Sequence, residues 1–140
     1  MAQTLTSICF HVVFSTKNRE PVITDAIKAR LHAYLGGITR EYGAIPIRIN
    51  GIDDHVHELI ETTATFVLPD FMRTLKANSS KWVHETFPSA RAFAWQSGYA
   101  AFSVSRSNVP AVKSTSQIRK NIISELIFRM SWSRFWNGMV

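Results

Sequence analysis

A chain of 140 residues is long enough for one domain with a real core. A hydrophobic content of 46% against 19% charged residues excludes a disordered chain. The lone Cys9 excludes an internal disulfide framework, and no apolar run is long enough to span a bilayer. With no basic-then-apolar leader, a cytoplasmic protein is expected, and the net charge of +6 favours a polyanionic partner, nucleic acid first.

The chain opens with Ser7 to Thr16 (SICFHVVFST), apolar and rich in β-branched and aromatic residues, which predicts a strand buried on both faces. Lys17-Asn18-Arg19 follows as a basic turn, equally readable as a solvated loop or a phosphate contact. Thr24-Asp25 has the form of a helix start with Thr24 as cap, and Ile27, Leu31, Leu35, Ile38 and Tyr42 recur at steps of three or four. Gly36-Gly37 weakens that helix and Gly43 ends it. Residues 44–50 (AIPIRIN) alternate as a second strand. Gly51-Ile52-Asp53-Asp54 forms a short turn, and His55 to Thr62 is a third strand paired with the second as a hairpin.

Leu68-Pro69-Asp70 opens a second helix reaching about Phe87. Its buried face is marked by Phe71, Leu75, Trp82 and Val83, with Arg73, Lys76 and Lys81 toward the other side. Residues 92–105 hold a turn at Gly98 and a fourth strand. The order strand, helix, strand, strand, helix, strand predicts an α+β, ferredoxin-like βαββαβ fold. Its antiparallel four-stranded sheet carries both helices on one face and leaves the other open for nucleic acid, metal or a partner.

The stretch with the most chemical content is Asp54-His55-Val56-His57-Glu58. Side chains alternate along a strand, so His55 and His57 share one face while Val56 turns to the other. Two neighbouring imidazoles suit a divalent metal ion. The plainer alternative is two polar positions on a half-exposed strand.

Four stretches together resemble the single-tyrosine HUH transposases, the insertion-sequence and REP-associated tyrosine transposase family: HVVFSTKNRE at 11–20, GIDDHVHELIE at 51–61, LKANSSKW at 75–82 and WQSGYAAFSVS at 95–105. The resemblance implies a transposase that cleaves and rejoins single-stranded DNA through a phosphotyrosine, with a divalent ion, magnesium or manganese, polarising the scissile phosphate. It implies that His55 and His57 are metal ligands, that Lys17, Arg19 and Lys76 contact DNA, and that the partners are single-stranded or hairpin DNA and a second copy of the chain. Tyr99, in the matched Gly-Tyr pair, is then structural.

The resemblance holds through residue 113 and fails beyond it, which divides the chain into an HUH domain at 1–113 and an aberrant tail at 114–140. The family continues with a helix of the form Tyr-Ile-x-Asn-Gln-x-x-His-His, which supplies the tyrosine nucleophile and a glutamine ligand. Here Thr115 occupies the tyrosine position and Arg119 the glutamine position. Codons for Tyr-Ile-Ala-Asn-Gln-Lys-Glu-His-His, read one nucleotide out of frame, encode Thr-Ser-Gln-Ile-Arg-Lys-Asn-Ile-Ile, the sequence of residues 115–123. A frameshifted tail and a catalytically inactive copy are therefore expected. The alternative is a non-catalytic module that binds single-stranded or hairpin DNA.

Overall fold

The computed structural model describes residues 5–105 and 108–110. The elements run β1 (Ile8–Ser15), a 3-10 turn (Lys17–Arg19), α1 (Asp25–Glu41), β2 (Ile45–Gly51), β3 (His55–Thr62), α2 (Leu68–Thr86) and β4 (Ala100–Val104). The strands form one antiparallel sheet in the order β2-β3-β1-β4. This is the α+β, ferredoxin-like arrangement expected from the sequence, with the histidine-bearing strand internal.

Alternation along the two central strands sorts the sheet into two unlike faces. Val12, Phe14, Val56 and Ile60 join Leu31 and Leu35 of α1 and Phe71, Leu75 and Val83 of α2 in one buried cluster. Thr24 stands at the expected start of α1. Its carbonyl accepts the amides of Ile27 and Lys28 at 3.0 and 2.9 Å, while its side chain makes no cap bond. Gly36 does not break α1 because it serves its packing. It is buried where the helix crosses β2, and a Cβ there would meet the Ile49 side chain at 3.4 Å. The intrinsic cost of a helical glycine, about 1 kcal/mol, is offset by that close approach.

The second face carries Cys9, His11, Val13 and Ser15 of β1 beside His55, His57 and Leu59 of β3. The sequence predicts an open face, but these central positions are all buried, His57 to 2% exposure. Part of the reason is mutual packing. The rings of His11 and His57 lie with centroids 5.1 Å apart and those of His55 and His57 meet edge-on at 5.0 Å, so each hides surface its neighbour would show.

One acidic residue lies on the helix-facing side. Glu58 stands between Val56 and Ile60 and is fully buried, with its carboxyl on the Thr39 hydroxyl of α1. Thr39 also donates to the Leu35 carbonyl at 2.8 Å. A hydroxyl has one hydrogen and a carbonyl can only accept. Both contacts are satisfied when Glu58 is protonated and donates to Thr39. Its second oxygen, Oε2, is buried without a hydrogen-bond partner among the described residues, a costly place for a carboxylate. Burial accordingly pushes the Glu58 carboxyl up from 4.5 to about 7, outweighing the lowering that a Thr39 hydroxyl turned to donate to the carboxylate would bring. Between those values the folded chain binds more protons than the unfolded chain at this position, so the contribution to stability falls as pH rises through the window. Glu58→Gln is expected to stabilise the protein by about 2–3 kcal/mol at roughly pH 8 and to change little near pH 4. Urea unfolding at the two pH values checks this, and equal effects at both would contradict a neutral buried carboxyl.

Candidate functional site

The site is built at the start of β3, and the hairpin that precedes it leaves little freedom. A Cβ on Gly51 would lie 2.3 Å from the His55 carbonyl, so only glycine lets β2 pass this close to β3. The Ile52 amide closes the turn on that same carbonyl at 3.1 Å. The Asp53 and Asp54 carbonyls accept the amides of Ile23 and Thr16, each at 2.9 Å, which ties the turn to the end of β1.

This frame presents His55 and His57 on one face, as alternation requires, and each has its Nδ1 engaged. His55 Nδ1 lies 2.7 Å from Asp54 Oδ1, and the other carboxylate oxygen, Oδ2, lies 3.2 Å from Arg19 Nε. His57 Nδ1 lies 2.9 Å from His11 Nε2. Across the β1–β3 ladder His57 faces Val13 and His11 faces Leu59, so the two histidines are diagonal neighbours, within reach of long side chains.

Burial lowers all three imidazoles. His11 falls to about 4. His57 falls to about 3, with the charges of His11 and His55 adding to the effect of burial. His55 is also lowered, because burial outweighs the Asp54 hydrogen bond that opposes it. Neutral imidazoles keep a lone pair, the form that ligates metal. Among the described residues no group of three or more His, Cys, Asp or Glu side chains is placed to hold a metal ion. His55 and His57, the two imidazoles that share this face, are the candidate donors. Two neutral imidazoles fit a manganese or zinc ion better than magnesium, which prefers oxygen ligands.

Sequence reasoning misses His11 and Asp54. His11 lies in a matched stretch, but its role depends on a cross-strand register that spacing alone does not fix. Asp54 is adjacent to His55, and a preceding carboxylate is the one local signal available.

The family described as "Transposase IS200 like" matches residues 4–115. The chain belongs to the IS200-like transposase family. ISDra2 transposase TnpA of Deinococcus radiodurans is 27% identical over 86 residues, which span 61% of this chain and 61% of that protein. A crystal structure of a candidate transposase from the same species superposes with a TM-score of 0.69 at 25% identity, covering 89% of this chain and 95% of that one. A REP-associated tyrosine transposase, solved bound to a REP hairpin, shares the fold at a TM-score of 0.51 and 12% identity, over 76% of this chain and 64% of that one.

The basic residues of this chain divide by position. Lys17 is exposed at the end of β1. Arg19 stands beside it, its side chain 40% exposed, and is ion-paired to Asp54. Asn18 and Arg19 adopt left-handed backbone, with φ of 56° and 54°. Such backbone is uncommon outside glycine and costs on the order of 1 kcal/mol or more. The Asn18 amide, held 3.1 Å from Gln96 Oε1, helps to fix the turn. Lys76 does not lie on the outer side of α2. It is half-buried and donates to the carbonyls of Gln96, at 2.7 Å, and Gly98, and burial lowers its ammonium to about 8. The expectation that Lys76 faces outward with Arg73 and Lys81 is therefore corrected. Thr115 and Arg119 lie outside the described residues.

Lys76 thus ties α2 to the loop before β4, and that loop in turn holds the basic turn through Gln96. Lys76→Ala is expected to cost about 2–3 kcal/mol through two charge-assisted hydrogen bonds and a packed aliphatic stem. Amide exchange at Asn18 should speed up with it. Urea unfolding and hydrogen exchange measure both, and an unchanged Asn18 would mean the loop holds without the lysine.

Proposed function

We propose that this IS200-like transposase binds single-stranded or hairpin DNA at an HUH metal site formed by His55 and His57, and that this chain no longer cleaves the strand. The observation that carries the proposal is the pairing of the two imidazoles on one face, ring centroids 5.0 Å apart, with both Nδ1 atoms held by neighbouring side chains. A divalent ion bound there would supply Lewis-acid polarisation of a phosphate. The exposed Lys17 at the end of the neighbouring strand suits a backbone phosphate. The hairpin bound by the REP-associated relative that shares this fold supports the same ligand class.

Loss of cleavage is supported by the tyrosines. The sequence has three, Tyr34, Tyr42 and Tyr99. Tyr34 and Tyr42 belong to α1 and its end, on the helix side of the sheet, where Tyr34 stacks on Trp82 and Tyr42 packs against Phe66 and Phe71. Burial pushes the Tyr99 phenol up, against the ionisation a nucleophile needs. Thr115, at the family's tyrosine position and at the end of the family match, has a hydroxyl too short for that reach. Its alkoxide is also far harder to form than a phenolate with a pKa near 10.

Fluorescence anisotropy with a single-stranded hairpin should show binding that weakens steeply with salt. Lys17→Ala should weaken it several-fold and reduce the salt slope by about 0.7, the contribution of one phosphate contact on a single strand. Arg19→Ala should weaken it too, though that change also removes the ion pair on Asp54. Equal affinity for a blunt duplex, or an affinity indifferent to salt, would count against this reading.

With manganese and the same hairpin, the chain should form no covalent protein–DNA adduct on a denaturing gel. Restoring one nucleotide ahead of the Thr115 codon should produce the adduct, whereas Thr115→Tyr alone should restore little, because Arg119 still replaces the glutamine ligand. An adduct from the unaltered chain would show that the inactivity is mistaken.

A further inference from the structure

We infer that His11 is a positioning residue for His57: it accepts the hydrogen on His57 Nδ1 and so commits that imidazole to ligate through Nε2, as Asp54 does for His55. The inference rests on the reading of His55 and His57 as metal ligands.

The geometry is specific. His11 Nε2 and His57 Nδ1 are 2.9 Å apart in a buried environment, and the two ring planes lie within 28° of each other, so the nitrogens face one another across the ring edges. One hydrogen lies between two facing ring nitrogens, so it belongs to one ring or the other. On His57 it leaves Nε2 as the ligating atom. On His11 it would place the other hydrogen of a neutral His57 on Nε2 and block that atom.

The neighbouring histidine shows which arrangement the site uses. Asp54 Oδ1, at 2.7 Å, accepts the Nδ1 hydrogen of His55, which assigns ligation there to Nε2. A pair of imidazoles meets one ion most simply through the same ring atom. His11 then does for His57 what the carboxylate does for His55, with a neutral ring in place of a charge. This also accounts for a third histidine buried between Cys9 and Val13 on a strand where the core face is filled by aliphatic and aromatic residues.

The direct test is the tautomer. Long-range 1H–15N correlation spectra of the metal-free full chain should show His57 protonated at Nδ1. His57 protonated at Nε2 overturns the inference without reference to any metal. Manganese affinity by calorimetry supplies the second arm. His11→Phe keeps an aromatic ring but removes the acceptor, and should lower affinity roughly 10–100-fold, the range seen when a ligand's hydrogen-bond partner is lost. His11→Gln, whose side-chain oxygen falls near the original Nε2, should recover most of it.

His55→Ala and His57→Ala separate this inference from the reading beneath it. If both abolish manganese binding while His11→Phe leaves it unchanged, His11 only fills space and the metal reading stands. If neither alters binding, the metal reading itself fails. Should His11→Phe not fold, the wild-type tautomer and His11→Gln still decide.

Discussion

The antiparallel pairing of β1 with β3 is the constraint on which the rest depends. Its register, from Ile8 opposite Thr62 to Ser15 opposite His55, assigns every side chain on the two central strands to a face. With period two, a slip of one residue would send Val56 and Ile60 away from the helices and bring His55 and His57 into the apolar core. The core cluster formed with α1 and α2 holds the register, because such a slip would take its strand half off the helices and set imidazoles against their apolar side chains instead. The hairpin closure at Gly51 fixes the same register from the other edge, since no larger side chain passes the His55 carbonyl.

The parts legible in the sequence are those written in local periodicity. Apolar spacing locates both helices, and the alternation around His55-Val56-His57 locates the strand and the shared face of the pair. What is not legible involves partners distant along the chain or charges facing inward. His11 meets His57 across 46 residues, and nothing local to either reveals the contact. The charge of Lys76 predicts an outward position, yet it lies four residues after Met72 and three before Ser79, both buried, and so shares their stripe. Its stem follows that stripe while the ammonium reaches carbonyls at the edge.

Glu58 and His57 show how one strand carries two unlike polar environments. They are consecutive, so their side chains leave opposite faces of the sheet. Burial acts on both and favours the neutral form of each, which raises the carboxyl and lowers the imidazole. Both groups are answered by a partner from another element, Thr39 of α1 for Glu58 and His11 of β1 for His57. A strand with polar residues on both buried faces gains little stability from them. The histidine face is intelligible as a site, whereas the position of Glu58 follows from the alternation that places His55 and His57 together.

The residues that shape this site fall into three hydrogen-bonded or ion-paired sets. Arg19, Asp54 and His55 form one connected set, His11 and His57 a second, and Lys76, Gln96 and Asn18 a third that shapes the turn carrying Arg19. All lie between residues 11 and 96, ahead of the segment that begins at residue 114. In the proposed function, holding the phosphate and attacking it therefore depend on different segments. The first rests on cross-strand packing and hydrogen bonds that the fold itself maintains. The second needs, in that reading, a side chain of the right length and acidity from the segment after residue 113, together with the ligand whose position Arg119 occupies. In that reading, a change confined to that segment would remove turnover while leaving the contacts of His55 with Asp54 and of His57 with His11 untouched.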